Sequence, residues 1–329
     1  MNKVTLNSMK VAEHPEYGKE EAIQFVDKEI PTPKNDELLI RIHASTVNRT
    51  DCAYLTGEPA IMRLVAGFKR PRNPVTGSDF AGTVVETGKD VSRFKKGDRV
   101  GGFGDNGVSS HAECMLIKEK GGVINIPDSL SFEKAAAAFE GAHYAYNFIK
   151  RMENLKGKKV LLNGATGAIG SAGLQFLKYH GAAVTAVCPS HQYELIKSLG
   201  ADRVICFDKQ DFTEDRVKYD FVFDAVGKST FGRCKPLLTE HGVYISSELG
   251  PKAQNPVLAL LGFFKNGKKV KFPVPYNITE SLEYILARIQ DGSFDPVIDR
   301  RYSFVDIKEA FQYVLTGDKI GNVVLNHDV

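Results

Sequence analysis

Between Lys158 and Pro273 the chain repeats one pattern, a short apolar run followed by an amphipathic one. The apolar runs are "KKVLLN" (158–163), "AAVTAVC" (182–188), "DRVICF" (202–207), "FVFDAV" (221–226), "GVYISSE" (242–248) and "KKVKFP" (268–273). Strands that alternate with helices in this way bury both faces by forming a parallel sheet with right-handed crossovers. The pattern predicts an α/β fold whose core is a doubly wound, six-stranded sheet within residues 127–276.

The first of these strands meets its helix in "LLNGATGAIGSAG". Ala165, Thr166, Gly167, Ala168, Ile169 and Gly170 spell GxGxxG with Ala in the first place. Gly167 lets the backbone approach a pyrophosphate, and Gly170 lets the helix pack close to the strand. The phosphates would rest on the N-terminus of the helix, where unpaired N–H groups and the positive dipole end converge. Placed between a strand and a helix, the loop predicts dinucleotide binding; the bland alternative is a tight turn with no ligand. A carboxylate at the end of the second strand would hold the ribose hydroxyls of NAD. That place reads "VCPSHQYE", with no acid before Glu194. Ser190, His191 and Tyr193, with Lys197, are then candidates to accept a 2′-phosphate, and the coenzyme expected is NADPH rather than NADH. Ser190 would cap the next helix in any case.

Residues 1–126 read differently. "LLIRIHAST", "FAGTVVETG", "KKGDRVGGF" and "HAECMLI" are short alternating strands broken by Gly and Pro, which predicts a β-rich, partly closed domain. "SFEKAAAAFEGAHYAYNFIK" reads as a helix capped by Ser131. After the sheet, "ESLEYILARIQDG" and "DIKEAFQYVL" read as helices and "GNVVLN" as a closing strand. Residues 277–329 are expected to rejoin the first domain.

Composition narrows the function class. Net charge is +3 and the basic residues are dispersed; the cluster at 265–271 reads as a turn before an edge strand, so nucleic acid is an unlikely partner. No apolar run reaches the roughly 18 residues that span a bilayer, and the N-terminus lacks signal-peptide character. Five scattered cysteines without a CxxC pair predict a reducing, cytoplasmic setting.

Several motifs occur together: "GSDFAGTVVETGKDVSRFKKGDRVGGF" (77–103), "NGATGAIGSAGLQ" (163–175), "SLGADRVI" (198–205), "FDAVG" (223–227) and "GNVVL" (321–325). Over nearly the whole length the chain resembles the medium-chain dehydrogenase/reductase superfamily, in its zinc-free quinone oxidoreductase-like branch. The resemblance implies a GroES-like catalytic domain from residues 1–126 and 277–329, a Rossmann domain from 127–276, and an active site in the cleft. It also implies a homodimer through the edge strand at 268–275, which sedimentation would test. Zinc-dependent members carry Cys at the position of Asn48 and His-Glu at Ser78-Asp79, and their four-Cys lobe is absent here. A catalytic zinc takes about three N, S or carboxylate ligands, so no metal is expected, and Cys52 reads as a packed thiol.

Without a Lewis acid, an isolated ketone is a poor hydride acceptor, whereas a quinone or an α,β-unsaturated carbonyl spreads the incoming charge. The expected reaction is hydride transfer from NADPH to such an acceptor. Asn48 is the candidate for orienting the acceptor oxygen or the nicotinamide ribose. Tyr54 is a hydrogen-bond or proton donor or a packed aromatic. His143 matches a position that the resemblance implies is near the nicotinamide amide, or it is structural, with Glu140 and Tyr144 as neighbours. Val226, Gly227, Ser246, Ser247 and Glu248 are expected to line the coenzyme. Asn322 stands where a coenzyme-side Lys is frequent. The rival readings are reduction of an enoyl thioester or another enone, and a non-catalytic NADPH- or RNA-binding relative.

Overall fold

The computed structural model describes residues 8–105, 107–246, 248–262, 267–274 and 276–327. Of the expectations above, Ser247 and parts of the 265–275 segment lie outside the described residues. The chain divides into two units. The first runs to Glu140 and takes in Ile278–Leu286 and the chain from Ile298 onward; the second comprises Gly141–Asn277 and Ala287–Val297.

The second unit holds the six-stranded parallel sheet. Across it the strands run Arg203–Cys206, Ala183–Cys188, Lys159–Asn163, Tyr219–Asp224, Leu238–Ser246 and Lys269–Lys271. Val160, Leu161, Leu162, Val184, Val222 and Phe223 are all buried, as double-sided helix cover requires. The fifth strand begins at Leu238, earlier than its apolar run, because exposed Glu240 and His241 break the hydrophobic signal. Among the described residues Lys269–Lys271 pairs only with the fifth strand and lies at the edge of the sheet. Two helices meet the middle of the sheet at Phe223. Phe148, on Glu140–Ile149, stacks on its ring at 5.0 Å. Gly173, on Ala168–Tyr179, lies so close that a Cβ there would sit 2.9 Å from the same ring. The distant stretch Ala287–Val297 is tied to this second helix by paired bonds, from Gln175 Nε2 to the Asp295 carbonyl and from the Asp295 N–H to Gln175 Oε1.

The first unit is built on the long strand Glu37–Val47. It pairs antiparallel with Asp79–Thr87, with Cys114–Lys118 and with the closing strand Asn322–Asn326. Val323 lies opposite Val47, so the C-terminal tail returns to this sheet. The helix expected from Ser131 is two helices, Phe132–Ala137 and Glu140–Ile149. The second starts afresh because Asp79 Oδ1 accepts the Glu140 N–H at 2.9 Å, which a continuous helix would have used internally.

Candidate functional site

In the second unit the expected coenzyme residues gather at the carboxyl ends of the central strands. The strand order reverses between Lys159–Asn163 and Tyr219–Asp224, and open α/β sheets bind ligands at that switch point. Gly164, not position 165, makes the turn: its φ is +81°, in the left-handed region. Ala165 is fully buried, and its N–H bonds the Val187 carbonyl at 3.2 Å, so its side chain packs. Gly167 caps the helix Ala168–Tyr179, and a Cβ there would meet no atom closer than the Gly164 carbonyl oxygen at 3.9 Å. Packing within the chain therefore does not require a glycine at 167; the open space beside it fits a pyrophosphate. At Gly170 a Cβ would lie 2.0 Å from that same carbonyl oxygen.

The buried Asp224 carboxylate holds the neighbouring loop. It accepts the Gly227 N–H at 3.0 Å, Asn163 Nδ2 at 3.0 Å and the Tyr244 hydroxyl at 2.9 Å, which fixes Val226 and Gly227 beside the glycine loop. Ser246 is fully buried and Glu248 half-buried; the side chain of Glu248 lies over Gly227. His143 is fully buried, and burial lowers its pKa to about 4, so its imidazole is neutral at neutral pH.

The adenosine end differs from expectation in two respects. Lys197 lies in the last turn of Tyr193–Ser198, where its ammonium bonds the carbonyls of Ala201 at 2.8 Å and Asp202 at 3.2 Å. It is committed away from Ser190. A carboxylate does reach Ser190, but from the next strand. Asp208, two residues past Cys206, accepts the Ser190 N–H at 2.8 Å and also its hydroxyl. Register puts Cys206 beside Cys188, so both loops leave the sheet at one level. Those bonds lower the Asp208 pKa, the hydroxyl's most. His191 and Tyr193 are exposed alongside.

In the first unit Asn48 follows the central strand and caps the helix Arg49–Thr56. Asp51 Oδ2 accepts the Asn48 N–H at 2.7 Å, and its Oδ1 accepts the Gly77 N–H at 3.0 Å. Asp51 thus ties the helix start to the 77 loop. Cys52 packs with Leu55, Ile307 and Phe311, and burial pushes its thiol pKa up to about 12, so it is an inert core thiol. Tyr54 is half-buried on the same helix, and burial raises its pKa.

Asn48 belongs to a buried polar network that the sequence did not reveal. Its Nδ2 donates to Thr46 Oγ1 and to Asp79 Oδ2, both at 2.9 Å, and Thr46 donates to the same Asp79 oxygen. Glu140 accepts from Thr50 and, at 3.1 Å, from Ser78 Oγ. Burial raises the pKa of Asp51 and of Glu140 to about 7, and that of Asp79 as well. Lys319 completes the group, 3.5 Å from Asn48 Oδ1. Asn322, the expected coenzyme contact, is buried in the closing strand three residues on.

A catalytic zinc fits these donors poorly. Asn48 and Ser78 offer an amide and a hydroxyl, and the oxygens of Asp79 and Glu140 are already occupied by donors. Among the described residues no three His, Cys, Asp or Glu side chains converge as a metal site.

Comparison with known proteins agrees with this architecture. Residues 34–129 match the family described as "Alcohol dehydrogenase GroES-like domain", and residues 199–325 match "Zinc-binding dehydrogenase". The chain is 30% identical to a 2-methylene-furan-3-one reductase from Solanum lycopersicum, over 97% of this chain and 79% of that protein. It is 29% identical to quinone-oxidoreductase QR1, chloroplastic, from Triphysaria versicolor, over 96% and 98%. The solved quinone oxidoreductase from Coxiella burnetii shares the fold with a TM-score of 0.86 at 23% identity, covering 97% and 99%. The GroES-like unit and the Rossmann unit together define an oxidoreductase architecture. The chain belongs to the medium-chain dehydrogenase/reductase superfamily, in its quinone oxidoreductase-like branch.

Proposed function

We propose that the protein is a metal-independent, NADPH-using reductase of quinones or α,β-unsaturated carbonyls. The observation that carries this reading is the donor set around Asn48, where an amide and hydroxyls stand in place of zinc ligands and the carboxylates are internally satisfied. The named substrates of the tomato and Triphysaria relatives, a furanone with an exocyclic methylene and a quinone, are both conjugated acceptors.

Bound coenzyme supplies a hydride from C4 of its nicotinamide ring. The chain supplies placement. The open space at Gly167 and the helix N-terminus hold the pyrophosphate, and the loop braced by Asp224 flanks it. Around Asn48 the buried network fixes every side chain before the acceptor arrives, so no reorganisation is needed when charge develops. The test is turnover of the purified chain with NADPH and a panel of quinones, enals and simple ketones, with and without chelator. Chelator-insensitive reduction of conjugated acceptors is expected; activity lost on chelation, or confined to simple alcohols and ketones, contradicts the reading.

Asp208 tempers the coenzyme preference. Its carboxylate stands where a 2′-phosphate would approach Ser190, so NADPH is expected to be favoured over NADH only weakly. Replacing Asp208 with Asn removes the repulsion and should raise the NADPH-to-NADH ratio of binding affinities by about tenfold. Titration of both coenzymes by fluorescence reads the ratio; an unchanged value would remove Asp208 from coenzyme selection.

A further inference from the structure

The network around Asn48 has a consequence for which atom faces the acceptor. Both hydrogens of Asn48 Nδ2 are spent, on Thr46 and on Asp79. The hydroxyls of Thr46, Thr50 and Ser78 are spent on Asp79 and Glu140. What Asn48 presents on its other side is an oxygen, which repels a carbonyl oxygen and cannot stabilise one that is becoming negative. The role of orienting the acceptor oxygen, expected of Asn48, needs a donor from elsewhere.

Lys319 provides it. Its ammonium carries three N–H donors. One bonds the Gly321 carbonyl at 2.6 Å and a second points to Asn48 Oδ1 at 3.5 Å, which among the described residues leaves a third. The loop that carries it is fixed in shape. Gly317 and Gly321 take positive φ, +81° and +52°, and Asp299 Oδ2 accepts the Ile320 N–H at 2.8 Å. Lys319 is partly buried, and burial lowers its pKa while the charge of Glu140 raises it, so its own charge acts in a weakly screening setting.

We propose that Lys319 binds the acceptor's oxygen and stabilises the negative charge that hydride transfer places on it. The proposal rests on the reading of the protein as a reductase of conjugated carbonyls. In the step, the β-carbon of the acceptor gains a C–H bond to the hydride, and the coenzyme is oxidised by the two electrons it gives up. The C=C pair shifts toward the carbonyl carbon and the C=O π pair moves onto oxygen, where the Lys319 N–H meets it. The α-carbon then takes a proton from water, which restores the carbonyl.

Lys319→Met should lower kcat for an enone about 100-fold, with KM for NADPH and the thermal midpoint little changed, because the lost interaction forms mainly in the transition state. Lys319→Arg should retain part of the rate, and added methylammonium should restore part of it to Lys319→Ala. Coenzyme binding by fluorescence supplies a readout independent of turnover and should match the wild type in all three variants. Wild-type turnover in Lys319→Met overturns the proposal alone. So does a Met variant whose coenzyme affinity and thermal midpoint fall together with its rate, or an Ala variant that methylammonium leaves unchanged. A wild type inert toward every conjugated acceptor overturns the functional reading, and the proposal with it.

Discussion

Gly167→Ala is expected to abolish coenzyme binding without unfolding the protein, whereas Gly170→Ala should lose both binding and stability. The two glycines occupy one loop but answer to different neighbours. At Gly170 an added Cβ would lie 2.0 Å from the Gly164 carbonyl oxygen, 2.8 Å from its carbonyl carbon and 2.9 Å from the Ala165 Cα. All three are backbone atoms, so the turn itself must move, and overpacking of this kind costs about 1–3 kcal/mol or more. At Gly167 the nearest neighbour is 3.9 Å away, so an Ala fits the empty protein. Its Cβ would instead occupy the space from which N–H groups reach a pyrophosphate. Thermal melts and fluorescence titration with NADPH separate the two outcomes. A Gly167→Ala protein that binds coenzyme like the wild type would show that the phosphates do not lie over this turn.

The second large effect is on stability against pH. Folding raises the Glu140 pKa to about 7, through burial first and the neighbouring Asp51 second. The folded protein therefore keeps a proton that the unfolded chain releases near pH 4.5, the ordinary value for this carboxyl. The stability tied to that proton is complete below the unfolded value and is lost as pH rises through about 7. Asp51 and Asp79 shift in the same direction and add to the slope. The wild type should melt at lower temperature at pH 8 than at pH 5. Glu140→Gln is neutral at both, and hydroxyls such as those of Thr50 and Ser78 can turn to accept as well as donate. The variant should be flatter with pH and should gain about 1 kcal/mol over the wild type at pH 8, a shift of roughly 2–4 °C. Parallel pH profiles for the two proteins would mean that Glu140 titrates normally.

The sheet and the glycine loop were legible because their signals are local. Apolar runs spaced by helices specify a parallel sheet, and a strand–glycine–helix join specifies the turn after it. The residue that makes the turn was left open there: the first position of the motif holds the packed Ala165, and Gly164 makes the turn. The polar network was not legible. Thr46, Asp79, Glu140 and Lys319 are brought together only by the pairing of the central strand with its neighbours and with the C-terminal tail. Nothing in the spacing of Glu140 or Lys319 announces that convergence. Asp208 escaped for a similar reason: the rule of an acid about 20 residues on looks along one strand, and the carboxylate comes from the adjacent one. Lys197 reads in the sequence as a phosphate ligand, although a lysine in the last turn of a helix readily turns to carbonyls at or just past its end, as it does here.

The central claim is direct, metal-independent hydride transfer to a conjugated acceptor, and isotope tracing tests it most directly. The protein, freed of metal by chelator, is incubated with an enone and NADPH carrying deuterium at C4, and the product is read by NMR. Deuterium on the β-carbon and solvent hydrogen on the α-carbon is the predicted result. Deuterium on the carbonyl carbon, or no label transfer until zinc is restored, would contradict it.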